Sequence, residues 1–342
     1  MEHKYLRWFS SSTASIYWHD STIFTEQQEA FSNGAVGMTT NPFLVQTTLN
    51  QDRPFWEERL AKLPKGLKGD EKCEALIGLV TGFYAEQCRP IFEKGIPGEG
   101  YVCAQTNPTK TGDAEYMIAQ MKRYAQIAPN IVIKVPATNA GITAFEEGTA
   151  LGFNMAATIS FTVPQALAVG EAAARGIERA KKAGIKPGLT AAVMMAGRLD
   201  DYLRDVAHDT GACVSESDIV QAGIACVKKV YGIFQERKYE TFLLPAGLRG
   251  ANQIVELAGG HMIFSLAPKI VKLLPSEAVC EERMQIPVDQ DVIDRLMTMP
   301  EFRKAYLEDG MTRNEFITFG SSNRTTDQFI NDGWNPLLAY EY

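Results

Sequence analysis

Short apolar runs alternate with amphipathic stretches along the whole chain. The runs are rich in β-branched or small apolar residues and predict strands that are buried on both faces. Eight of them occur: Ser15–Trp18, Ala35–Thr40, Tyr101–Thr106, Ile131–Val135, Ala156–Phe161, Leu189–Met195, Thr241–Leu244 and His261–Ser265. Repeated strand–helix units indicate a parallel sheet, and eight of them favour one closed (β/α)8 TIM barrel. A doubly wound sheet is the alternative, but no dinucleotide glycine fingerprint supports it.

Amphipathic stretches between the runs predict the helices of the barrel. Ala114–Ala128 is one such stretch. Gln165–Ala183 is another, with Pro164 at its beginning and Gly184 at its end, the usual asymmetry of helix termini. Asp218–Glu236 is predicted as a third helix, because it begins with an acidic first turn.

Two segments are additional to the eight strand–helix units of a simple barrel. Residues 43–100 are helical in pattern and predict extra helices after the second strand. Beyond Pro268, the pieces Glu281–Met284 and Asp291–Met299 are helix-like, and the chain ends in a polar, aromatic tail, Thr318–Tyr342. Without a linker or repeat, we expect one TIM-barrel domain over residues 1–342, with the barrel at about 14–275 and a C-terminal extension at about 276–342. The tail is expected either to cap a barrel mouth or to pack on a neighbouring subunit.

Composition excludes several functional classes. The chain is 45% hydrophobic and 22% charged, with a net charge of −7, which argues against a nucleic-acid partner. No apolar run is long enough to span a membrane, and the start MEHKYLRWFS lacks the apolar core of a signal peptide, so a cytoplasmic protein is expected. The cysteines form no CxxC pair and predict reduced thiols. The histidines lie far apart, so no metal site is expected.

One lysine interrupts the most apolar run. Lys134 follows Ile131, Val132 and Ile133 and precedes Val135. A lysine is rarely buried, and burial favours the neutral amine, which can attack a carbonyl group and form a Schiff base. The alternative is a lysine at a strand edge, whose ammonium group reaches solvent or pairs with a carboxylate.

Polar side chains mark the ends of the predicted strands. In a TIM barrel the active groups come from the carboxyl ends of the strands. Those ends supply Asp20, Thr39, Thr40, Asn41, Pro42, Gln105, Lys134, Thr158, Ser160, Arg198, Arg249 and Ser265. Two arginines on late strands suit a phosphate or another tetrahedral oxyanion, because guanidinium groups donate bidentate hydrogen bonds.

At these residues the sequence resembles the transaldolase family. Gly37–Pro42 reads GMTTNP, close to the family's G-[IV]-T-[ST]-N-P, and Ile133–Thr138 followed by Gly141 and Ile142 matches I-K-[IV]-P-A-T-x-x-G-[IL]. The resemblance spans about Asp20 to Pro268. Further matching pieces are Gln165-Ala166, Ala196-Gly197-Arg198 and Ala246-Gly247-Leu248-Arg249.

The resemblance implies a mechanism on a phosphorylated ketose. Lys134 would form a Schiff base with the keto group, the bond between C3 and C4 would break, and a dihydroxyacetone unit would stay on the lysine. Asp20 would take the proton of the C4 hydroxyl group; its alternative role is a helix N-cap before Ser21 and Thr22.

The resemblance also assigns substrate contacts. Asn41 would bind the hydroxyl groups of the dihydroxyacetone unit, and it can at the same time be the restricted turn residue before a proline. Arg198 and Arg249 would bind the distal phosphate, with surface salt bridges as their alternative. Ser160 and Ser265 are further predicted substrate contacts.

Positions on three of the predicted strands depart from the family pattern. Gln105 stands where typical transaldolases have a glutamate that works with a threonine, here Thr158; the related fructose-6-phosphate aldolases also use a glutamine. Ala156 replaces an asparagine near the lysine. Met195 replaces a phenylalanine, or the tyrosine of the aldolases, and Val193 replaces a polar residue.

The resulting prediction is a transferase without a cofactor that moves a dihydroxyacetone unit from a phosphorylated ketose to an aldehyde acceptor. The alternatives are a lyase that releases free dihydroxyacetone, the same chemistry on a ketose with a sulfonate terminus, and a phosphosugar-binding barrel without catalysis. The resemblance also implies a possible homo-oligomer.

Overall fold

The computed structural model describes residues 2–342 as a barrel of eight parallel strands surrounded by helices. All strand pairs are parallel, in the order β7-β6-β5-β4-β3-β2-β1-β8, and β7 packs beside β8, so the sheet nearly closes on itself. The strands are β1 (Ile16–His19), β2 (Gly37–Met38), β3 (Val102–Gln105), β4 (Ile131–Pro136), β5 (Asn154–Thr158), β6 (Thr190–Met194), β7 (Phe242–Pro245) and β8 (Ile263–Leu266). The predicted (β/α)8 TIM barrel is confirmed, and each predicted apolar run contains most of one strand.

Helices follow the strands and cover the outer face of the sheet. In chain order they are α1 (Lys4–Ser12), α2 (Phe24–Ser32), α3 (Pro42–Gln51), α4 (Arg53–Leu60), α5 (Gly69–Phe92), α6 (Ala114–Tyr124), α7 (Asn139–Ala150), α8 (Val163–Lys182), α9 (Ala196–Thr210), α10 (Glu216–Ile219), α11 (Ala222–Glu236), α12 (Ala251–Leu257), α13 (Pro268–Val271), α14 (Gln290–Leu296), α15 (Pro300–Tyr306), α16 (Gly320–Gln328) and α17 (Asn335–Ala339). Single 3-10 turns occupy Pro108–Lys110 and Phe316–Thr318, and a π-helical turn occupies Phe329–Trp334. The helices α3, α4 and α5 are the extra helices expected after the second strand.

The predicted single helix Asp218–Glu236 is divided in the structure. Ser215 caps α10 and Asp218 completes its capping box, so this helix begins before Asp218. The next helix, α11, starts separately, because the backbone N–H of Gly223 donates to the buried carboxylate of Asp200 at 2.8 Å and not to a carbonyl of the preceding turn. The break therefore depends on a tertiary contact.

Helix α8 follows its local signals closely. Thr162 caps it by accepting a hydrogen bond from the backbone N–H of Gln165, and Pro164 lies in the first turn. The helix ends at Lys182, two residues before Gly184, which has a φ of +72° that favours glycine.

The prediction of a helix-like piece at Glu281–Met284 is wrong. This segment is irregular, because the backbone N–H groups of Arg283 and Met284 both donate to the carbonyl of Ala258, each at 3.0 Å. The helix α1 had no predicted counterpart; its Phe9 packs edge-on against Phe264 on the outer face of β8.

The C-terminal tail is helical and covers the mouth of its own barrel. Its α16, π-helical turn and α17 run from α9 across α3 to α5. The hydroxyl group of Tyr340 donates to the carbonyl of Leu49 at 2.8 Å, and the indole N–H of Trp334 donates to Asp70 at 3.3 Å. Of the two expected positions, the structure therefore has the tail on the barrel mouth. Across residues 2–342, no helix combines the length and the apolar character needed to span a membrane.

Candidate active site

Lys134 lies in the middle of β4, on the inner face of the barrel. In-register neighbours share a face of the sheet, and Lys134 is flanked by Gln105 on β3 and Ala156 on β5. Its side chain is 7% exposed, and its amine donates to the carbonyl of Thr40 at 3.4 Å. The described part of the chain gives this amine no carboxylate partner. The alternative of an edge lysine paired with a carboxylate does not fit this position.

Asp20 follows β1, and its carboxylate is hydrogen-bonded to a chain of two hydroxyl groups. Thr39 donates to Asp20 Oδ1 at 2.6 Å, and the Thr39 and Ser265 hydroxyl oxygens lie 2.7 Å apart. Because the single Thr39 hydrogen points to the carboxylate, Ser265 is the donor to Thr39. Asp20 does not cap α2, whose N-cap is Ile23 without a side-chain hydrogen bond. The N-cap alternative for Asp20 is therefore contradicted.

Asn41 caps the helix that follows β2. Its Oδ1 accepts from the backbone N–H of Leu44 at 3.0 Å, and Pro42 occupies the first helical position. Its backbone is extended, as a residue before proline requires. Because capping fixes the oxygen end of the amide, the Nδ2 end is left for a ligand, and the capping and binding roles are compatible.

Three buried polar atoms at or just beyond the carboxyl ends of β3 and β5 have no hydrogen-bond partner within the described protein: Gln105 Oε1, Thr158 Oγ1 and Ser160 Oγ. A buried polar atom without a partner costs about 1–3 kcal/mol, and of the three residues Thr158 lines the cavity described below, where a polar ligand would offset this cost. Ile159, between Thr158 and Ser160, has a φ of +54°, which is strained for a β-branched residue. Strain of this kind clusters at functional sites.

The two predicted arginines differ in their partners. Arg198 Nη1 donates to Gln328 Oε1 at 2.7 Å, and its buried Nε has no protein partner. Burial, and next the neighbouring guanidinium group of Arg249, lower the pKa of Arg198 to about 10. Arg249 Nε donates to Asp201 Oδ2 at 2.6 Å. The salt-bridge alternative therefore applies to Arg249, which nevertheless also lines the cavity.

A short relay fixes the backbone at Arg249. Its N–H donates to Gln253 Oε1 at 2.7 Å, and Gln253 Nε2 donates to Asp200 Oδ2, also at 2.7 Å. Asp200 is 2% exposed, and burial raises its pKa to about 8. The relay orients the loop after β7 towards the cavity.

One cavity of about 460 Å³ at the carboxyl ends of the strands connects these groups. It has the size typical of a small-molecule site. The structure brings most predicted site residues into its lining, namely Asp20, Asn41, Lys134, Thr158, Arg198, Arg249 and Ser265. Gln105 and Ser160 are buried beside it and do not line it.

Sequence reasoning missed several residues of this site. Thr39 appeared among the strand ends without a role, although its position beside Asp20 in the barrel follows from the in-register pairing of β1 with β2. Gln328 and Phe329 of the tail line the cavity, as does the exposed Lys269 after β8. No local pattern indicated these three, since their place depends on the docking of the C-terminal extension and of the last barrel loop.

Comparison with known proteins identifies the family of this chain. The model of the family described as "Transaldolase/Fructose-6-phosphate aldolase" matches residues 17–318. The chain belongs to this family. The predicted family resemblance is thus confirmed.

Curated relatives of this family member include "Transaldolase 1" of Streptomyces avermitilis, which is 30% identical over 220 residues, 62% of this chain and 58% of the relative. The "Transaldolase" of Thiobacillus denitrificans is 29% identical over 219 residues, 63% of this chain and 60% of the relative. The matched stretch thus spans less than two thirds of either relative.

Two departures from the transaldolase pattern place apolar groups near the amine. Ala156 is fully buried and lies in register with Lys134. Met195 is 6% exposed and lines the cavity that Lys134 and the arginines also line. Neither side chain offers water the hydrogen bonds of the asparagine in transaldolases at the first position or of the tyrosine in the aldolases at the second.

Proposed function

We propose that this protein is a transaldolase-type transferase that moves a dihydroxyacetone unit from a phosphorylated ketose to an aldehyde acceptor. The observation that carries the proposal is the buried amine of Lys134, which lines one cavity together with the Asp20 carboxylate and with Arg198 and Arg249. Family membership and the printed names of the relatives support the reaction class.

The first half-reaction forms and then cleaves a Schiff base. The Lys134 amine attacks the keto carbon, and loss of one water molecule gives an iminium ion. Asp20 then takes the proton of the C4 hydroxyl group, the C4–O bond becomes a carbonyl, and the electrons of the C3–C4 bond move to the iminium nitrogen. An aldehyde leaves, and an enamine of dihydroxyacetone remains on Lys134.

In the second half-reaction the same groups work in reverse. The enamine carbon attacks the carbonyl of an acceptor aldehyde, and Asp20 returns its proton to the new alkoxide. Hydrolysis of the iminium then releases the new ketose. Gln105 Oε1 and Thr158 Oγ1 have no protein partner, and both are suited to orient this water.

Different polar side chains suit the two ends of the proposed substrate. The Nδ2 group of Asn41 and the hydroxyl group of Ser265 suit the hydroxyls of the dihydroxyacetone unit, and the predicted contact from Ser160 would require a local rearrangement, because Ser160 does not line the cavity. The arginines suit a terminal tetrahedral oxyanion, because Arg198 retains an unpartnered buried Nε. A sulfonate terminus meets the same donors as a phosphate.

The second candidate is a lyase that releases free dihydroxyacetone, and Gln105 favours it, since the aldolase branch shares that residue. The apolar Ala156 and Met195 favour transfer, because neither donates a proton to the enamine carbon, and only the release of free dihydroxyacetone requires that protonation. The test is turnover of fructose 6-phosphate with and without erythrose 4-phosphate, followed by the yields of glyceraldehyde 3-phosphate and dihydroxyacetone. Transfer predicts multiple turnovers only with the acceptor. Equal, continuous yields of both products without the acceptor would establish the lyase, and binding without any turnover would favour a non-catalytic barrel.

A further inference from the structure

The C-terminal tail supplies two of the side chains that line the cavity. Gln328 is the last residue of α16, and Phe329 begins the π-helical turn. Both line the cavity. π-helical turns are rare and often occur at functional sites, where they change the direction of side chains. Here the turn lies over the part of the mouth that contains the arginines.

Arg198 receives its protein contacts largely from this tail. Its Nη1 donates to Gln328 Oε1 at 2.7 Å, its guanidinium carbon lies 5.7 Å from the centre of the Phe329 ring, and its carbonyl accepts from Ser321 Oγ at 3.4 Å. No carboxylate in the described chain forms an ion pair with Arg198. A buried guanidinium group with a neutral amide partner and a free Nε remains available to an anion.

The direction of the Gln328 amide follows from this bond. Its oxygen faces Arg198, so its Nε2 group, which has two hydrogens, is the end left for a ligand. Gln328, Arg198 and Arg249 line the same cavity, so the amide adds a third donor group to the two guanidinium groups. Three donors match the three terminal oxygens of a phosphate ester or a sulfonate.

The tail packs against the segment that contains Asn41, the residue proposed to bind the dihydroxyacetone unit. A side chain at Gly333 would meet the backbone nitrogen of Phe43 at 2.7 Å and the carbonyl carbon of Pro42 at 3.0 Å, so the π-helical turn packs directly on the turn that contains Asn41. The same segment continues to Trp334, which donates to Asp70. The spacing between Asn41 and Gln328 is thereby set by close packing.

We propose that Gln328 is a substrate-binding residue that donates its Nε2 hydrogen to the terminal oxyanion of the ketose, so that the tail sets the preference for substrates with such a terminus. This inference deepens the proposed function and rests on it for the identity of the ligand. Phosphate and sulfonate share the chemistry, and the test separates them.

The first experiment measures binding of inorganic phosphate and of methanesulfonate to the full-length chain by calorimetry. Gln328→Glu places a carboxylate on Arg198 and repels the anion, so at least a tenfold weaker binding of one or both probes is expected. Gln328→Leu keeps the volume and is expected to weaken binding severalfold. The control is Asn331→Ala, which removes an exposed amide from the same π-helical turn. Unchanged binding of both probes in both Gln328 variants would overturn the inference.

The second experiment compares kinetics with fructose 6-phosphate and with unphosphorylated fructose. The Gln328 variants are expected to raise KM about tenfold for the phosphorylated ketose and less than threefold for fructose, with kcat retained. Equal effects on both ketoses would contradict the assignment. If the wild type binds phosphate through Gln328 but turns over neither ketose, the proposed function fails while the anion site stands. If turnover is normal and independent of Gln328, only the anion-site inference fails.

Discussion

Thr39 donates its only hydroxyl hydrogen to Asp20 Oδ1 at 2.6 Å, which leaves the other carboxylate oxygen for the proton transfer proposed above. The same Thr39 oxygen lies 2.7 Å from Ser265 Oγ and accepts from it. This chain of hydrogen bonds, from Ser265 through Thr39 to Asp20, connects the ends of three strands and fixes the orientation of the carboxylate. Orientation of a general base in this way contributes to rate without contributing to substrate affinity.

Replacement of Thr39 by valine tests the chain of hydrogen bonds to Asp20. Thr39→Val keeps the shape of the side chain and removes the donor, so Asp20 loses its orientation. We expect kcat to fall about tenfold to hundredfold with KM nearly unchanged. The matched control is Thr40→Val, which removes the neighbouring hydroxyl group that donates to the carbonyl of Cys103. That control is expected to lower the unfolding temperature and leave kcat within threefold. An unaltered kcat in Thr39→Val would show that the hydrogen bond from Thr39 to Asp20 does not contribute to catalysis.

The amine of Lys134 is expected to be essential for turnover and dispensable for folding. Lys134→Met replaces a buried amine, with one long hydrogen bond, by an apolar chain of similar length. We expect turnover to fall at least about a thousandfold, while the thermal unfolding temperature is maintained or raised. The control Lys269→Met removes the exposed lysine of the same cavity and should retain Schiff-base formation. Substantial turnover by Lys134→Met would mean that another nucleophile acts.

Arg249 is expected to discriminate substrates by their terminus. Arg249→Ala removes a guanidinium group from the cavity, so KM should rise far more for fructose 6-phosphate than for fructose, by about tenfold or more. Arg204→Ala is the control, because Arg204 also pairs with Asp201 but does not line the cavity. A similar loss in the control would show that the Asp201 ion pair, and not anion binding, explains the effect.

Much of this fold follows from local sequence signals. The strands are predictable because a parallel barrel buries both faces of each strand, which leaves β-branched runs such as Ile131–Val135. The site is largely predictable for a topological reason: parallel strands bring their carboxyl ends to one mouth, so Asp20 and Lys134 lie together although they are far apart in sequence.

The remaining features depend on tertiary contacts. Thr39 is identical in type to its neighbour Thr40, and only the register of β1, β2 and β8 determines which hydroxyl group faces Asp20. Gln328 contacts Arg198 from a distant tail whose polar sequence has no barrel periodicity. The break after α10 depends on the Asp200 carboxylate, and the irregular Glu281–Met284 depends on the carbonyl of Ala258.

Asp200 gives the folded protein a specific pH dependence. Burial raises its pKa to about 8, above the value of about 3.9 in an unfolded chain. The folded state therefore binds one more proton than the unfolded state between these values, and the contribution to stability is complete below the lower value and lost as the pH rises to 8. The expected slope is up to about 1.4 kcal/mol per pH unit.

Chemical denaturation at pH 5, 6, 7 and 8 measures this slope. Asp200→Asn cannot ionise, so it should remove that part of the slope even though its amide disturbs the bond from Gln253. The exposed Asp205→Asn is the control and should keep the wild-type slope. Parallel profiles for wild type and Asp200→Asn would show that Asp200 is ionised in the folded protein.

The central claim is that Lys134 forms a Schiff base and retains a three-carbon unit. Incubation with fructose 6-phosphate and borohydride, followed by intact and peptide mass spectrometry, measures this directly, because reduction makes the imine permanent. We predict a dihydroxyacetone-sized adduct on the peptide that contains Lys134, and its absence in Lys134→Met. A whole-sugar adduct would mean imine formation without cleavage of this ketose. No adduct on Lys134 from this or other ketoses would contradict the account.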